Sequence, residues 1–343
     1  MIGIYELEVR RGNFTLRVDE LEVRSNKYFV ILGPSGSGKT TLLSTIAGFV
    51  KPIRGRIIID GINVVNYPPE KRNVAYVFQD PLLLPHLTAL ENILLGSHGD
   101  KRIALSIARE LGIEELLNKY PSQLSRGQQQ KVSLARALAY NPKVILLDEP
   151  LSSLDRVSKE AVIDALLKLK GRRIVIHVTH DLSEAFALAD ELAIIYNGSI
   201  LAKGSPDKIM FNPPNEKVAR FLGLTNFFKG YAKTAGGNKS IVKIGENVEL
   251  HVYGKYSGKV FVTVSPGEIF LAKDLDSVTA ANKFEGVIAK IIPRDVVDEV
   301  KVKVNSVVFS VYVSKKAVRD LGLKAGKKVV IAFKKSAITV NKL

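Results

Sequence analysis

Tyr28-Phe29-Val30-Ile31-Leu32-Gly33-Pro34-Ser35-Gly36-Ser37-Gly38-Lys39-Thr40-Thr41-Leu42-Leu43 is the stretch whose reading decides the fold. Its first five residues are apolar, as a strand covered on both faces requires. The next eight spell G-x-x-x-x-G-K-T, and from Thr41 to Ala47 the text reads as a helix. Strand, glycine-rich loop and helix in that order form a phosphate loop. Glycines let several backbone N–H groups face one anion, and the helix N-terminus adds partial positive charge. Gly33, Pro34, Ser35, Gly36, Ser37, Gly38 and Thr41 are thus expected to line the phosphates. Lys39 is expected to reach the terminal phosphates of a nucleotide, and the Thr40 hydroxyl to hold Mg²⁺.

A second apolar run, Val144 to Leu147, ends in Asp148 and Glu149. Paired carboxylates at the carboxyl end of a buried parallel strand lie where open α/β sheets bind nucleotides. Asp148 suits the Mg²⁺ shell, and Glu149 is placed to polarise an attacking water. Both could be plain surface acids; the phosphate loop upstream argues against that.

Three further segments follow in fixed order among these: Gln79, then Leu124-Ser125-Arg126-Gly127-Gln128, then Val178-Thr179-His180-Asp181. With them, residues 1 to about 225 resemble the nucleotide-binding subunit of an ATP-binding cassette (ABC) transporter. The resemblance implies an α/β P-loop NTPase with a helical subdomain at about 82–140 and a linker at about 205–225. It implies ATP and Mg²⁺ as cofactors, and a head-to-tail homodimer that sandwiches two nucleotides. In that family Ser125, Arg126, Gly127 and Gln128 would close over the ATP of the second copy. The usual motif there is L-S-G-G-Q, and Arg126 replaces its first glycine. Asp155, in Ser152-Ser153-Leu154-Asp155, would cross the dimer interface, His180 would contact the γ-phosphate, and Gln79 would sense γ-phosphate and Mg²⁺. An adenine-stacking aromatic is expected 25 to 30 residues before Lys39. Arg11 occupies the aligned position, and Phe14 is the nearest aromatic. His177, inside the strand 174–179, reads as structural.

Composition sets bounds. A chain of 343 residues is long for one domain. It has no cysteine, which excludes disulfides, thiolate metal sites and cysteine catalysis. No apolar run approaches the roughly 18–20 residues that span a bilayer. The expectation is a protein on the cytoplasmic face of the cell membrane whose pore is a separate permease. The segment Asp80 to Ile93, apolar and broken by two prolines, is the expected dock for that permease, around residues 79–93. The same leucines could instead only pack the helical subdomain. An extracellular solute-binding protein would act indirectly.

Near residue 205 the alternation of strands and helices gives way to a linker and then, from Asn226, to short alternating runs separated by turn residues. This 226–343 segment repeats weakly. Phe228-Lys229-Gly230-Tyr231 parallels Phe284-Glu285-Gly286-Val287, and 258–271 parallels 326–340. An all-β tandem OB-like domain is expected. It resembles the regulatory domain (TOBE/MOP type) of importer ATPases, most of all in the molybdate/tungstate branch, through 221–230 and 311–317. The resemblance implies ATP-driven uptake of molybdate or tungstate. ATPases for sugar, sulfate or polyamine import share the architecture.

The tail holds 21 of the 50 Lys and Arg residues and only 10 of the 34 Asp and Glu. Such a basic domain attracts anions. Nucleic acid is the alternative ligand, because OB-like folds bind single strands, but the tail's aromatics alternate as core positions do. The branch's oxyanion cluster of Ser, Arg and Asn maps to 276–283, where the arginine is missing and Lys283, Ser314 and Lys315 are the alternative donors. Only 86 residues separate Lys39 from Ser125, too few for the coiled coil of DNA-repair cassettes, and one cassette per chain excludes the translation type.

Overall fold

The computed structural model describes every residue except Asn212, Leu224, Lys273, Asp276, Ser277, Val278 and Leu343, and all side chains but those and Phe211 and Lys342. The chain divides into two compact units, Met1–Pro206 and Asp207–Leu343. The division falls at the start of the 205–225 stretch, where two short helices lie rather than an extended linker.

In the first unit the strands are β1 (Ile2–Arg11), β2 (Phe14–Val23), β3 (Tyr28–Leu32), β4 (Arg54–Ile59), β5 (Ile62–Asn63), β6 (Val74–Val77), β7 (Val144–Asp148), β8 (Ile174–Thr179), β9 (Glu191–Tyr196) and β10 (Ser199–Gly204). The helices are α1 (Lys39–Ala47), α2 (Ala89–Gly96), α3 (Lys101–Glu110), α4 (Arg126–Ala139), α5 (Arg156–Leu167) and α6 (Leu182–Leu188). One sheet carries all ten strands in the order β5-β4-β1-β2-β10-β9-β3-β8-β7-β6. Its β3, β8, β7 and β6 are mutually parallel. Every residue of β3, β7 and β8 is buried, which explains their unbroken apolar text. β1 and β2 pair antiparallel and alternate instead, because only one face of that ribbon meets the core.

The sheet order has a direct consequence. β3, β8, β7 and β6 are neighbours, so whatever follows their carboxyl ends converges on one rim. Lys39, His180, Asp148, Glu149 and Gln79 all follow those ends. Thr40 and Asp148, 108 positions apart in sequence, are thereby brought into hydrogen-bonding contact.

Arg72 secures the phosphate-loop helix from behind. It is 3% exposed. Its guanidinium donates to the carbonyls of Thr45 and Ile46 at the end of α1, at 2.8 and 2.9 Å, and to those of Val65 and Tyr67, at 3.1 and 2.9 Å. A helix leaves its last carbonyls short of partners, and here one side chain satisfies that of Ile46 and adds a donor to that of Thr45, which also takes the Gly48 N–H, while pinning the loop before β6. Arg72→Ala should therefore lower stability by about 3 kcal/mol, since buried acceptors are orphaned. An unchanged thermal unfolding midpoint for the variant would contradict this.

The second unit holds α7 (Pro206–Phe211), α8 (Glu216–Phe221), β11 (Asn226–Thr234), β12 (Lys239–Ile244), β13 (Val248–Tyr253), β14 (Gly258–Val264), β15 (Phe270–Ala272), β16 (Asn282–Ile292), β17 (Val297–Val304), β18 (Val307–Ser314), α9 (Lys315–Asp320), β19 (Lys328–Phe333) and β20 (Ile338–Lys342). Two five-stranded sheets run β13-β12-β11-β14-β20 and β15-β19-β16-β17-β18. Each copy of the sequence repeat therefore builds four strands of one sheet and lends its last strand to the other.

The repeated Phe-x-Gly phrases have a physical basis. A Cβ on Gly230 would lie 2.6 Å from the Lys243 carbonyl oxygen, and one on Gly286 would lie 2.7 Å from that of Lys303. Glycine at both sites lets the long strand cross its neighbour closely. The exchange is also locked symmetrically. Buried Asn226 pairs both ends of its amide with the backbone of Ser310, and buried Asn282 does the same with His251.

Candidate functional site

The phosphate loop, Gln79 after β6 and Glu149 after β7 border a cleft of about 480 Å³, while Gly33, Pro34, Ser37, Asp148 and His180 do not line it. Arg11, Phe14, Ser35, Gly36, Gly38, Lys39, Thr40, Thr41, Gln79 and Glu149 line it. Gly38 has φ +106°, and a Cβ there would lie 2.9 Å from the Phe14 ring. Only glycine makes that turn into α1, and the same contact holds Phe14 against the loop. Arg11 and Phe14 both reach the cleft wall, so the aligned position and the nearest aromatic share one side of it.

Lys39 is 5% exposed. Its ammonium donates to the carbonyls of Gly33 (2.9 Å) and Pro34 (3.1 Å) and stands 3.9 Å from Glu149 Oε1. Burial lowers its pKa, and the Glu149 and Asp148 carboxylates oppose that shift. The loop thus encloses a positive charge held in place by two backbone carbonyls, as an anion site requires.

Asp148 is 2% exposed at the end of β7. Thr40 Oγ1 donates to its Oδ1 at 3.0 Å, and the Tyr76 hydroxyl donates to its Oδ2 at 2.9 Å. Burial raises its pKa, while the Tyr76 and Thr40 hydrogen bonds pull it back. Carboxylate and hydroxyl oxygens side by side are hard donors of the kind Mg²⁺ takes, with phosphate oxygens and waters completing its shell. The residues present therefore fit the cation.

Glu149 adopts φ +46°, a left-handed conformation that non-glycine residues rarely hold. Its backbone N–H donates to the Val178 carbonyl, and its carbonyl accepts from both the N–H and the hydroxyl of Ser152. These bonds offset a strain of about 1 kcal/mol and turn the carboxylate into the cleft. There its Oε1 lies 3.2 Å from His180 Nδ1. A carboxylate flanked by a lysine and an imidazole is arranged to accept a proton from water beside a phosphate.

Ser125, Arg126, Gly127 and Gln128 do not line this cleft. Ser125 caps α4: its Oγ accepts from the Gln128 N–H while the Gln128 side chain accepts from the Ser125 N–H. Arg126 pairs with Asp80, immediately after Gln79. A Cβ on Gly127 would lie 3.1 Å from the Ser153 carbonyl, so this loop packs on the segment before Asp155. Asp155 caps α5 through the Ser158 N–H. His177 is fully buried, with Nδ1 2.9 Å from the Tyr28 hydroxyl.

Tyr76 escaped the sequence reading. Its only signal is a tyrosine among the apolar residues of β6, and its partner Asp148 is 72 residues away.

The segment after Gln79 is stapled by Asn92, which exchanges hydrogen bonds with Leu84 and donates to the Leu87 and Thr88 carbonyls. Leu82 and Leu84 remain exposed (57% and 38%). They do not simply pack the helices behind them.

In the second unit, Asp276 to Val278 lie outside the described residues. The remaining candidates for an oxyanion are largely engaged. Asn282 is spent on the His251 backbone, Lys283 donates to the Leu275 carbonyl, and Ser314 caps α9. Asn282 and Lys283 donate within the fold and Ser314 Oγ accepts there, which is why sequence alone could not tell them from ligand groups.

The ABC transporter family matches residues 16–152, and the TOBE domain family matches residues 279–340. The molybdate/tungstate import ATP-binding protein of Pyrococcus abyssi is 36% identical over 99% of this chain and 100% of its own length. Its namesake in Methanocaldococcus jannaschii is 44% identical over 76% of this chain and 89% of its own. The spermidine/putrescine import ATP-binding protein of Protochlamydia amoebophila is 37% identical over 79% and 76%. Among solved structures, a dimeric ATP-binding cassette in a post-hydrolysis state with ADP and Pi covers 60% of this chain and 99% of its own at 31% identity, with a TM-score of 0.55. A nucleotide-free cassette from an ABC transporter covers 64% and 98% at 26% identity, with a TM-score of 0.58. With the phosphate loop, the paired carboxylates and the ten-stranded sheet already in place, these likenesses show that the chain belongs to the ATP-binding proteins of ABC transporters, which bind and hydrolyse ATP.

Proposed function

We propose that this chain hydrolyses ATP, as a homodimer on the cytoplasmic face of the membrane, to drive molybdate or tungstate uptake through a separate permease. The convergence of Lys39 and Glu149 on one cleft, with His180 Nδ1 3.2 Å from the Glu149 carboxylate, carries the ATPase reading. Lys39 holds the terminal phosphates, Glu149 takes the proton of the attacking water, and His180 orients that carboxylate and the γ-phosphate. Thr40, Asp148 and Gln79 hold Mg²⁺, which when bound neutralises charge on the phosphates. Ser125, Arg126, Gly127 and Gln128 face outward from their own cleft, as residues serving the partner's nucleotide would, with Asp155 beside them.

The first unit, with the helices α7 and α8, serves as the ATPase domain through about residue 225, and 226–343 as the regulatory domain. Exposed Leu82 and Leu84, on a loop held stiff by Asn92, supply an apolar seat for the permease. No helix among the described residues is long and apolar enough to cross a membrane.

The cargo is supported by relatives named for molybdate/tungstate import that match nearly the whole length. Polyamine import is the second reading, supported by the spermidine/putrescine relative. Removing the chain from its host cell should abolish high-affinity uptake of radiolabelled tungstate and spare spermidine uptake; the reverse pattern would favour polyamine. For regulation, a cleft of about 890 Å³ in the second unit presents Thr279, Lys334, Lys335 and Ser336. Calorimetric titration of the full chain with tungstate, molybdate and sulfate should show selective binding of the first two if that unit senses cargo.

A further inference from the structure

We propose that Tyr76 is a positioning residue of the ATPase site, holding the Asp148 carboxylate in the orientation that receives the nucleotide's divalent cation. The inference rests on the reading of Asp148 as a Mg²⁺ ligand. Asp148 has two oxygens, and the structure gives each one donor. Thr40 Oγ1, itself at the mouth of the phosphate loop, bonds Oδ1; the Tyr76 hydroxyl bonds Oδ2. A carboxylate tied at one oxygen can rotate about its last bond. Tied at both, from α1 on one side and from β6 on the other, it has one orientation. Fixing a ligand in advance removes an ordering cost from cation binding.

The phenol is itself held. Its ring packs against Phe49 and Phe78 with centroids 5.6 and 4.3 Å away. Burial, with Asp148 beside it, keeps its pKa far above the usual tyrosine range. β6 and β7 are hydrogen-bonded parallel neighbours, so the distance between the two side chains is set by the sheet.

Tyr76→Phe removes one oxygen and keeps the aromatic packing. The test is binding of a fluorescent ADP by the full chain, titrated with Mg²⁺ and repeated in EDTA, with Asp148→Asn in parallel. The proposal expects Tyr76→Phe to need about tenfold more Mg²⁺ for half-maximal binding, the scale of one hydrogen bond to a charged group. Affinity in EDTA should be unchanged. The Mg²⁺ requirement for ATP hydrolysis should move by the same factor. An unchanged Mg²⁺ midpoint in Tyr76→Phe, with a raised one in Asp148→Asn, would overturn the role of Tyr76 alone. Equal losses with and without Mg²⁺ would make Tyr76 a packing residue and also overturn it. No shift in Asp148→Asn would overturn the metal reading of Asp148, and the role of Tyr76 with it.

Discussion

Glu149→Gln should stop ATP turnover and leave nucleotide binding intact. Glutamine keeps the size and hydrogen-bonding reach of the side chain but has no basicity. A positioned general base contributes about 10²- to 10⁴-fold to rate, and the loss should fall in that range. The backbone argument strengthens the expectation. Glu149 holds its left-handed φ through bonds from its own N–H and carbonyl to Val178 and Ser152, and the substitution touches none of them. The amide should therefore occupy the carboxylate's place, 3.2 Å from His180 Nδ1. With hydrolysis blocked, ATP should accumulate in the closed homodimer, roughly doubling the mass seen by light scattering in the presence of ATP and Mg²⁺. Turnover at the normal rate would remove Glu149 as the base. A slow variant that stays monomeric with ATP would keep the base and refute the sandwich.

Lys39→Ala should weaken nucleotide binding by about a hundredfold or more. Charge-assisted hydrogen bonds in a buried site contribute about 1.5–3 kcal/mol each, and Lys39 is 5% exposed. The same ammonium donates to the Gly33 and Pro34 carbonyls, so its loss also loosens the loop that presents the backbone N–H groups. Both effects weaken phosphate binding, and calorimetry with ADP would measure their sum. The Glu149 carboxylate, left without its cation 3.9 Å away, would further repel the phosphates. Unaltered ADP affinity would mean that the backbone cradle alone holds the nucleotide.

The chemistry of this site was legible in the sequence to an unusual degree because most of it is local. A phosphate loop needs closely spaced glycines, a lysine and a helix start, and all lie within Gly33 to Thr41. The paired acids adjoin an apolar strand, and Ser125 caps the helix it opens, so neighbours in sequence carry both signals. The repeat of the second unit was legible for the same reason. Its Phe-x-Gly phrases mark strand crossings that the backbone at Gly230 and Gly286 requires.

What the sequence determined by itself, then, was which segments carry phosphate and carboxylate chemistry, together with the α/β and all-β character of the two parts; the role of His180 came from the family resemblance. Short-range spacing and alternation encode those properties directly. Tertiary structure alone decided which residues meet. The order β3-β8-β7-β6 brings Lys39 and His180 to the Glu149 carboxylate and joins Asp148 to Tyr76, and Arg72 reaches the end of α1 across 27 positions. It also decided that Asn282 serves the fold rather than a ligand. The strand order and the partner of a polar side chain depend on how the whole sheet buries its apolar faces, and no local window of sequence contains that information.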